Sequence, residues 1–262
     1  MARTVTAAVI LIGDELLSGR TQDSNLKTIA EFLAPLGVEV REARVIPDVH
    51  ETIVATVQAM KQGHNYVFTT GGIGPTHDDI TADAVAAAFG RTIDVRADAV
   101  AILRPWYEAR GQDINEGRMR MARIPAGAEL IQNPVSAAPG FMLGNVFVMA
   151  GIPSVMRGML SDVGHRIQGG AVVHSHTVRA TGVREGDIAE PLGALARARP
   201  EVSFGSYPWA RLRGKNVDYG SNLVARSRDA DLIAAAVAAL VELVESLGAK
   251  AEVDPKTEEG KA

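Results

Sequence analysis

The first 90 residues alternate strand signals with Gly-closed helical patterns, and few folds accommodate that alternation. TAAVILI (6–12) is a continuous apolar run, the pattern of a strand buried on both faces. Asp23 and Ser24 are placed to cap a helix with apolar positions Leu26, Ile29, Leu33 and Leu36. Pro35 should end or bend its last turn and Gly37 close it. VEVREARVI (38–46) reads as a second strand. Asp48 and Glu51 form a capping-box-like start for a helix that buries Ile53, Val57 and Met60 and ends at Gly63. YVFTT (66–70) reads as a third strand, followed by a helix predicted from Asp78 to Phe89 and closed by Gly90. Successive β-α units predict an α/β domain built on a parallel, doubly wound sheet. Ligands of such sheets bind at the C-terminal edge of the strands, where the loops after strands one and three, and after strand two, meet.

Further along, ADAVAILRPWYEARG suggests a helix interrupted at Pro105, and RMARIPAGAELIQN runs into a short strand. NVFVMAGIPSVMRGML (145–160) repeats strand, loop, helix, and supplies a fourth ligand-edge loop, with Gly151 and Pro153, if its strand is parallel. Gly169 and Gly170 mark a linker. Beyond it, a β-α-β-β-α pattern predicts a small α+β domain. Its first helix is expected to break at Pro191, and its last, Asp229 to Leu247, to bury Leu232, Ala236, Leu240, Leu243 and Leu247. The expected organisation is residues 1–168, 171–249, and a charged, disordered tail over 250–262.

Composition excludes several function classes. Aromatics are 5%, while Ala, Val, Ile and Leu dominate, as suits helices packed on a buried sheet. Lys and Arg number 27 against 31 Asp and Glu, a formal charge of −4, so no nucleic-acid partner is expected from charge. There is no cysteine, which removes disulfides, thiolate metal sites and a Cys nucleophile. The first apolar run meets Asp14 and Glu15 too early for a secretory signal, and no run reaches the roughly 18 residues of a membrane span. The expectation is a soluble, cytoplasmic protein with no membrane partner.

TGGIGPTHDDIT (70–81) carries the sharpest chemical signal. Gly71, Gly72 and Gly74 let backbone approach a ligand closely, and a Gly-rich loop at a helix start is an anion site. Thr76 with Asp79 three residues later fits a capping box, which needs one carboxylate. Here Asp78 and Asp79 are adjacent, with His77 before them. Bare carboxylates would repel a phosphate, and a divalent cation between them resolves the conflict. The loop lacks the Gly-Lys-Ser/Thr of a Walker A motif, and GDELLSG (13–19) lacks the spacing of a dinucleotide fingerprint. Asp14 and Glu15 sit just past a buried strand, either in a solvated turn or completing a carboxylate cluster, with Ser18, Gly19 and Asn25 as nearby donors. Asp48 is either the cap of the second helix or part of the same cluster. Trp106 and Tyr107 are either half-buried packing or a platform for a flat ring. Arg118, Arg120 and Arg123 read as a charged surface face that could neutralise phosphate, and His174 and His176 share one strand face, a weak metal-pair signal.

TGGIGPTHDDIT, with GDELLSG upstream and NVFVMAGIPSVM (145–156) downstream, resembles the molybdopterin-binding-domain family. That family includes molybdenum cofactor biosynthesis proteins, the N-terminal part of competence/damage-inducible protein A (CinA) and a domain of FAD synthase. VIPD, FTTGGIGPTHDDIT and MARIPAGAEL look most like the CinA group, and SFGSYP with the long last helix resembles the middle region of CinA. The resemblance implies a three-layer fold for residues 4–165. It implies either molybdopterin binding or metal-dependent pyrophosphatase activity on ADP-ribose or FAD, with Mg, Mn or Co and K⁺ as activating ions. It implies a small nucleotide or pterin ligand and a homodimer or homotrimer. Functional aspartates of the family fall on Asp79 and Asp48. Residue pattern and resemblance together give an expected site with Asp79, and Asp48 or Asp14, as catalytic residues and Asp78, Asp79 and Glu15 as metal ligands. Gly71, Gly72, Gly74, Thr76, Thr81, Ser18, Asn25, Gly151 and Pro153 would contact the ligand. The family's downstream deamidase and synthetase domains are outside the resemblance. Its Pro-Gly-Val-Pro-x-Glu-Met loop reads Ala150-Gly151-Ile152-Pro153-Ser154-Val155-Met156 here, without the carboxylate.

Overall fold

The computed structural model describes residues 4–214 and 216–254, in two compact units, Met1–Ala171 and Val172–Ala262. In chain order the first unit contains β1 (Val5–Ile12), α1 (Asp14–Leu17), α2 (Asn25–Leu33), β2 (Val38–Ile46), α3 (His50–Gly63), β3 (Tyr66–Thr70), α4 (Thr81–Ala88) and β4 (Ile93–Val95). It continues with α5 (Ala97–Glu108), α6 (Glu116–Arg120), β5 (Arg123–Pro125), β6 (Glu129–Ile131), β7 (Gly140–Leu143), β8 (Val146–Met149) and α7 (Pro153–Leu160).

Six strands form one mixed sheet in the order β2-β1-β3-β8-β7-β6. The first four run parallel, and β7 and β6 add antiparallel. β1 is buried along both faces, which explains its unbroken apolar run. Its residues alternate between two cores. Ala8, Ile10 and Ile12 pack with Ile53 and Val57 of α3, Val85 of α4 and Leu103 of α5. Ala7, Val9 and Leu11 pack with Ile29 and Leu33 of α2 and Met156 and Met159 of α7. The result is the three-layer, mostly parallel α/β architecture expected for this part of the chain. β8 is parallel to β3, so its following loop does reach the ligand edge. Within the second core, the Phe68 and Phe147 rings stack with centroids 4.9 Å apart and planes 7° from parallel.

The second unit contains β9 (His174–Thr181), α8 (Glu185–Ala198), β10 (Ser203–Arg213), β11 (Asn216–Ser227), α9 (Ala230–Ser246) and β12 (Lys250–Val253). Its antiparallel sheet runs β10-β11-β9-β12. The buried side chains of α8 and α9 cover one face of it, with Ile188, Ile233 and Leu240 against Val178 and Leu223.

Four local expectations are corrected. The helix expected from Asp78 begins only at Thr81, because Asp79 bonds back to Thr76 and makes a separate turn first. α5 and α8 run through Pro105 and Pro191 instead of breaking. The carbonyls that lose a partner, those of Ala101 and Asp187, belong to exposed residues that water can reach. α9 buries Ile233, Ala236, Leu240 and Val244, while Leu232 stays 39% exposed. Asp229 caps that helix by accepting from the Asp231 and Leu232 N–H groups, which sets its start, while packing on the sheet sets which face is buried. Lys250–Val253, expected in the tail, pairs with β9; residues 255–262 lie outside the described residues.

Phe147→Ala should lower the stability of the first unit by about 3–5 kcal/mol, because a buried aromatic leaves a cavity flanked by a rigid sheet. Asp229→Ala should cost about 1 kcal/mol in the second unit through the lost cap. Denaturant midpoints of the two variants would measure both.

Candidate functional site

The loops after β1, β3 and β8 meet at the C-terminal edge of the sheet, and the first two are stitched to neighbouring strand ends. The Gly13 N–H donates to the Ile46 carbonyl at 3.1 Å and the Gly71 N–H to the Met149 carbonyl at 3.2 Å. Gly71 has φ of 105°, and a Cβ there would lie 2.1 Å from the Ile12 carbonyl oxygen, so only glycine lets the β3 loop touch β1 this closely. Gly72 has φ of 66° and rests on the buried Thr81, whose N–H donates to the Gly72 carbonyl at 2.9 Å. Gly151 fits against the Gly71 Cα. Asn25 holds that third loop: it is 4% exposed and its Nδ2 donates to the Gly151 carbonyl at 2.7 Å.

Between these loops lies a cleft of about 510 Å³. Gly71, Gly72, Gly74, Glu15, Asp48, Asp78, Asp79, Gly151 and Pro153 line it, as the sequence suggested. Among the described residues, the N–H groups of Gly72, Ile73 and Gly74 donate to nothing within the chain. All three residues line the cleft, so three successive backbone donors are left without a protein partner beside it. The lining also has apolar side chains, those of Ile12, Ile73, Ile152 and Val155.

The carboxylates are gathered by this convergence. Asp48 does not cap α3, whose first turn follows Val49. Its Oδ2 accepts the Asp14 N–H at 3.0 Å instead, tying the end of β2 to α1. Burial pushes the Asp48 carboxyl above its ordinary 3.8; the Asp14 N–H opposes this, and the charges of Glu15, Asp14 and Asp78 reinforce it. Asp79 is half-buried, and its Oδ2 accepts from the Thr76 N–H at 2.8 Å and the Thr76 hydroxyl at 2.5 Å. That hydroxyl, although bonded to Asp79, is the largest influence holding the exposed Asp78 below the usual carboxylate range. Asp79 therefore serves the loop with one oxygen and presents the other.

Several expected site residues stand elsewhere. Ser18 bonds to the Glu15 carbonyl at 3.3 Å, on exposed α1, outside the cleft lining. Asp14 is likewise outside the lining and enters only through its charge and its N–H. Thr76 and Thr81 shape the loop from behind. Asn25 positions Gly151 and borders a smaller neighbouring hollow. The Trp106 and Tyr107 rings form no open platform, because Arg110 lies 3.4 Å over the first and Arg118 4.3 Å over the second. His176 is engaged with Asp254 at 2.6 Å in the second unit, not paired with His174. Among the described residues, no three His, Asp or Glu side chains are close enough to form a ready metal cage. Ile152, Asn133 and Ser136 also line the cleft and escaped the sequence reading. Ile152 carried one signal, an apolar residue left 64% exposed in a glycine-proline loop.

Because the Asp48 shift is upward, ionising it costs the folded state more than the unfolded chain. The penalty is present above its folded value and is relieved as pH falls toward 3.8. Wild type should therefore gain stability relative to Asp48→Asn as pH is lowered from neutrality, a difference that paired denaturant curves at several pH values would reveal. Gly71→Ala should collapse the loop and lower the melting temperature at every pH.

Residues 8–168 match the family described as "Probable molybdopterin binding domain" and residues 172–252 the "FAD synthase, middle domain". A protein of Aeropyrum pernix is 35% identical over 218 residues, 80% of this chain and 81% of its own. A CinA-like protein of Gemmatimonas aurantiaca is also 35% identical, over 72% of this chain but only 47% of its own length. The crystal structure of CinA from Thermoplasma acidophilum, described as a protein of unknown function, superposes with a TM-score of 0.58 at 32% identity. It covers 63% of this chain and 99% of that one. Among the described residues, no helix is long and apolar enough to cross a membrane. The chain belongs to the molybdopterin-binding-domain family, in its CinA-like form.

Proposed function

We propose that the first unit is a metal-dependent nucleotide pyrophosphatase acting on ADP-ribose, FAD or a related diphosphate. The observation that carries this reading is the open Gly72–Gly74 N–H row beside carboxylates that repel one another. The N–H groups suit a phosphoryl oxygen, and the crowded carboxylates suit a divalent cation. A cation such as Mg²⁺ needs only one or two protein carboxylates when phosphate and water complete its shell, so the absence of a three-residue cage does not conflict with the donor set. Asp78, Glu15 and the open oxygen of Asp79 are the groups that would hold it. When bound, the cation would neutralise charge developing on the phosphoryl oxygens.

The chain's own residues supply the rest. The Gly72–Gly74 N–H groups hold and orient the diphosphate. Thr76 keeps Asp79 in place. Asp48, which lines the cleft where Asp14 does not, orients a water and takes its proton as that water attacks phosphorus. The bridging P–O bond breaks and two monophosphates leave. The apolar side chains of Ile12, Ile73, Ile152 and Val155 receive a ring of the ligand. Those same side chains favour a second reading, in which the cleft binds the phosphorylated pterin of the molybdenum cofactor without turnover.

The test is AMP release from ADP-ribose and FAD by purified protein with Mg²⁺, Mn²⁺ or Co²⁺, with and without K⁺. Asp48→Asn should reduce kcat by about 10²–10⁴-fold, the usual contribution of a general base. Asp79→Asn should abolish metal-dependent release. No AMP with any metal, together with tight binding of the pterin, would replace this reading with the second.

A further inference from the structure

Adjoining the main cleft, and sharing Gly72, Ile73, Gly74 and Asp79 with it, lies a small alcove of about 20 Å³ that also touches Asp83, Arg120 and Arg123. Its two arginines differ in state. Arg123 is committed to Asp83, with Nη2 2.5 Å from Oδ1. Arg120, at the end of α6, makes no hydrogen bond or ion pair among the described residues, and its Nε is buried without an acceptor. A buried donor on a permanently charged group is costly to leave unmade. The cleft beside it carries Glu15, Asp48, Asp78 and Asp79, and no lysine or arginine lines it. A diphosphate ligand would therefore find its protein cation in the alcove.

We infer that Arg120 is a phosphoryl-binding residue, whose guanidinium takes one phosphate oxygen of the ligand where the alcove adjoins the cleft at the Gly72–Gly74 loop. The inference rests on the phosphate-ligand reading of the cleft. The alcove has room for a single water-sized group, so it receives one oxygen and not a whole phosphate. The oxygen would be held between the Gly72–Gly74 N–H groups and Arg120, and the contact would be charge-assisted. Arg120 is a binding residue in this scheme; it moves no proton and would act on affinity.

The test uses the intact protein with Mg²⁺ and two probes that cannot be cleaved at the bridge, methylenediphosphonate and the α,β-methylene analogue of ADP-ribose, measured by titration calorimetry at low and raised salt. Arg120→Gln should weaken both about 10- to 100-fold, the range of a hydrogen bond to a charged group, and should flatten the salt dependence. Its melting temperature should match wild type, since Arg120 has no protein partner to lose. Arg120→Lys should recover part of the affinity, because the charge returns without the fork. If Arg120→Gln is destabilised, the Lys variant carries the test, and its affinity must fall. Equal affinity in wild type and variants overturns the inference while leaving the phosphate cleft standing. Failure of wild type to bind either probe overturns both.

Discussion

The site depends on one close approach, the contact of the Gly71 backbone with the Ile12 carbonyl at the ends of β3 and β1. A side chain at Gly71 would push the β3 loop off the sheet edge. With that contact in place, Gly151 can lie on Gly71, and Asn25 can tie Gly151 to the start of α2. Strand-end carbonyls of Ile46 and Met149 are satisfied by the neighbouring loops, so the edge is rigid at the level of backbone hydrogen bonds. The cleft is what remains between loops locked in this way.

The same convergence sets the electrostatics. Asp14, Glu15, Asp48 and Asp78 come from three separate loops, and each alone would be an ordinary solvated carboxylate. Together they act on Asp48 enough to reinforce its upward shift, against the hydrogen bond from Asp14. Such a group of like charges is tolerated because it is largely exposed, and because only Asp48 and Asp79 are even half-buried. The Gly72–Gly74 backbone donors line the same cleft, and the adjoining alcove holds Arg120. Acidic, donor and cationic elements are thus segregated around one loop, the arrangement a phosphate ester with its cation would need.

Legibility in the sequence followed the range of the interactions. β1 was readable because burial on both faces leaves an unbroken apolar run, and the glycine-rich loop was readable because its conformation is encoded by the residues that adopt it. The start of α4 was not: Thr76 and Asp79 have capping-box spacing whether their bond lies inside a helix or makes a turn before one. For Asp48 local spacing left a helix cap and a place in the carboxylate cluster both open, and its actual partner, the N–H of Asp14, is thirty-four residues away in the chain. The continuation of α5 and α8 through proline turned on solvent access to two carbonyls, and the rotation of α9 on packing against a sheet that its own apolar stripe does not specify.

By itself the sequence determined the strand-helix alternation, the parallel core and the loops that meet the ligand edge, because hydrophobic period and glycine placement act over a few residues. Tertiary structure decided which carboxylates share a cleft, that Arg120 in the alcove has no partner among the described residues, and which strand-end carbonyls the Gly13 and Gly71 N–H groups find. Those outcomes depend on distances between residues remote in the chain, and they exist only once the sheet has brought the loop ends together.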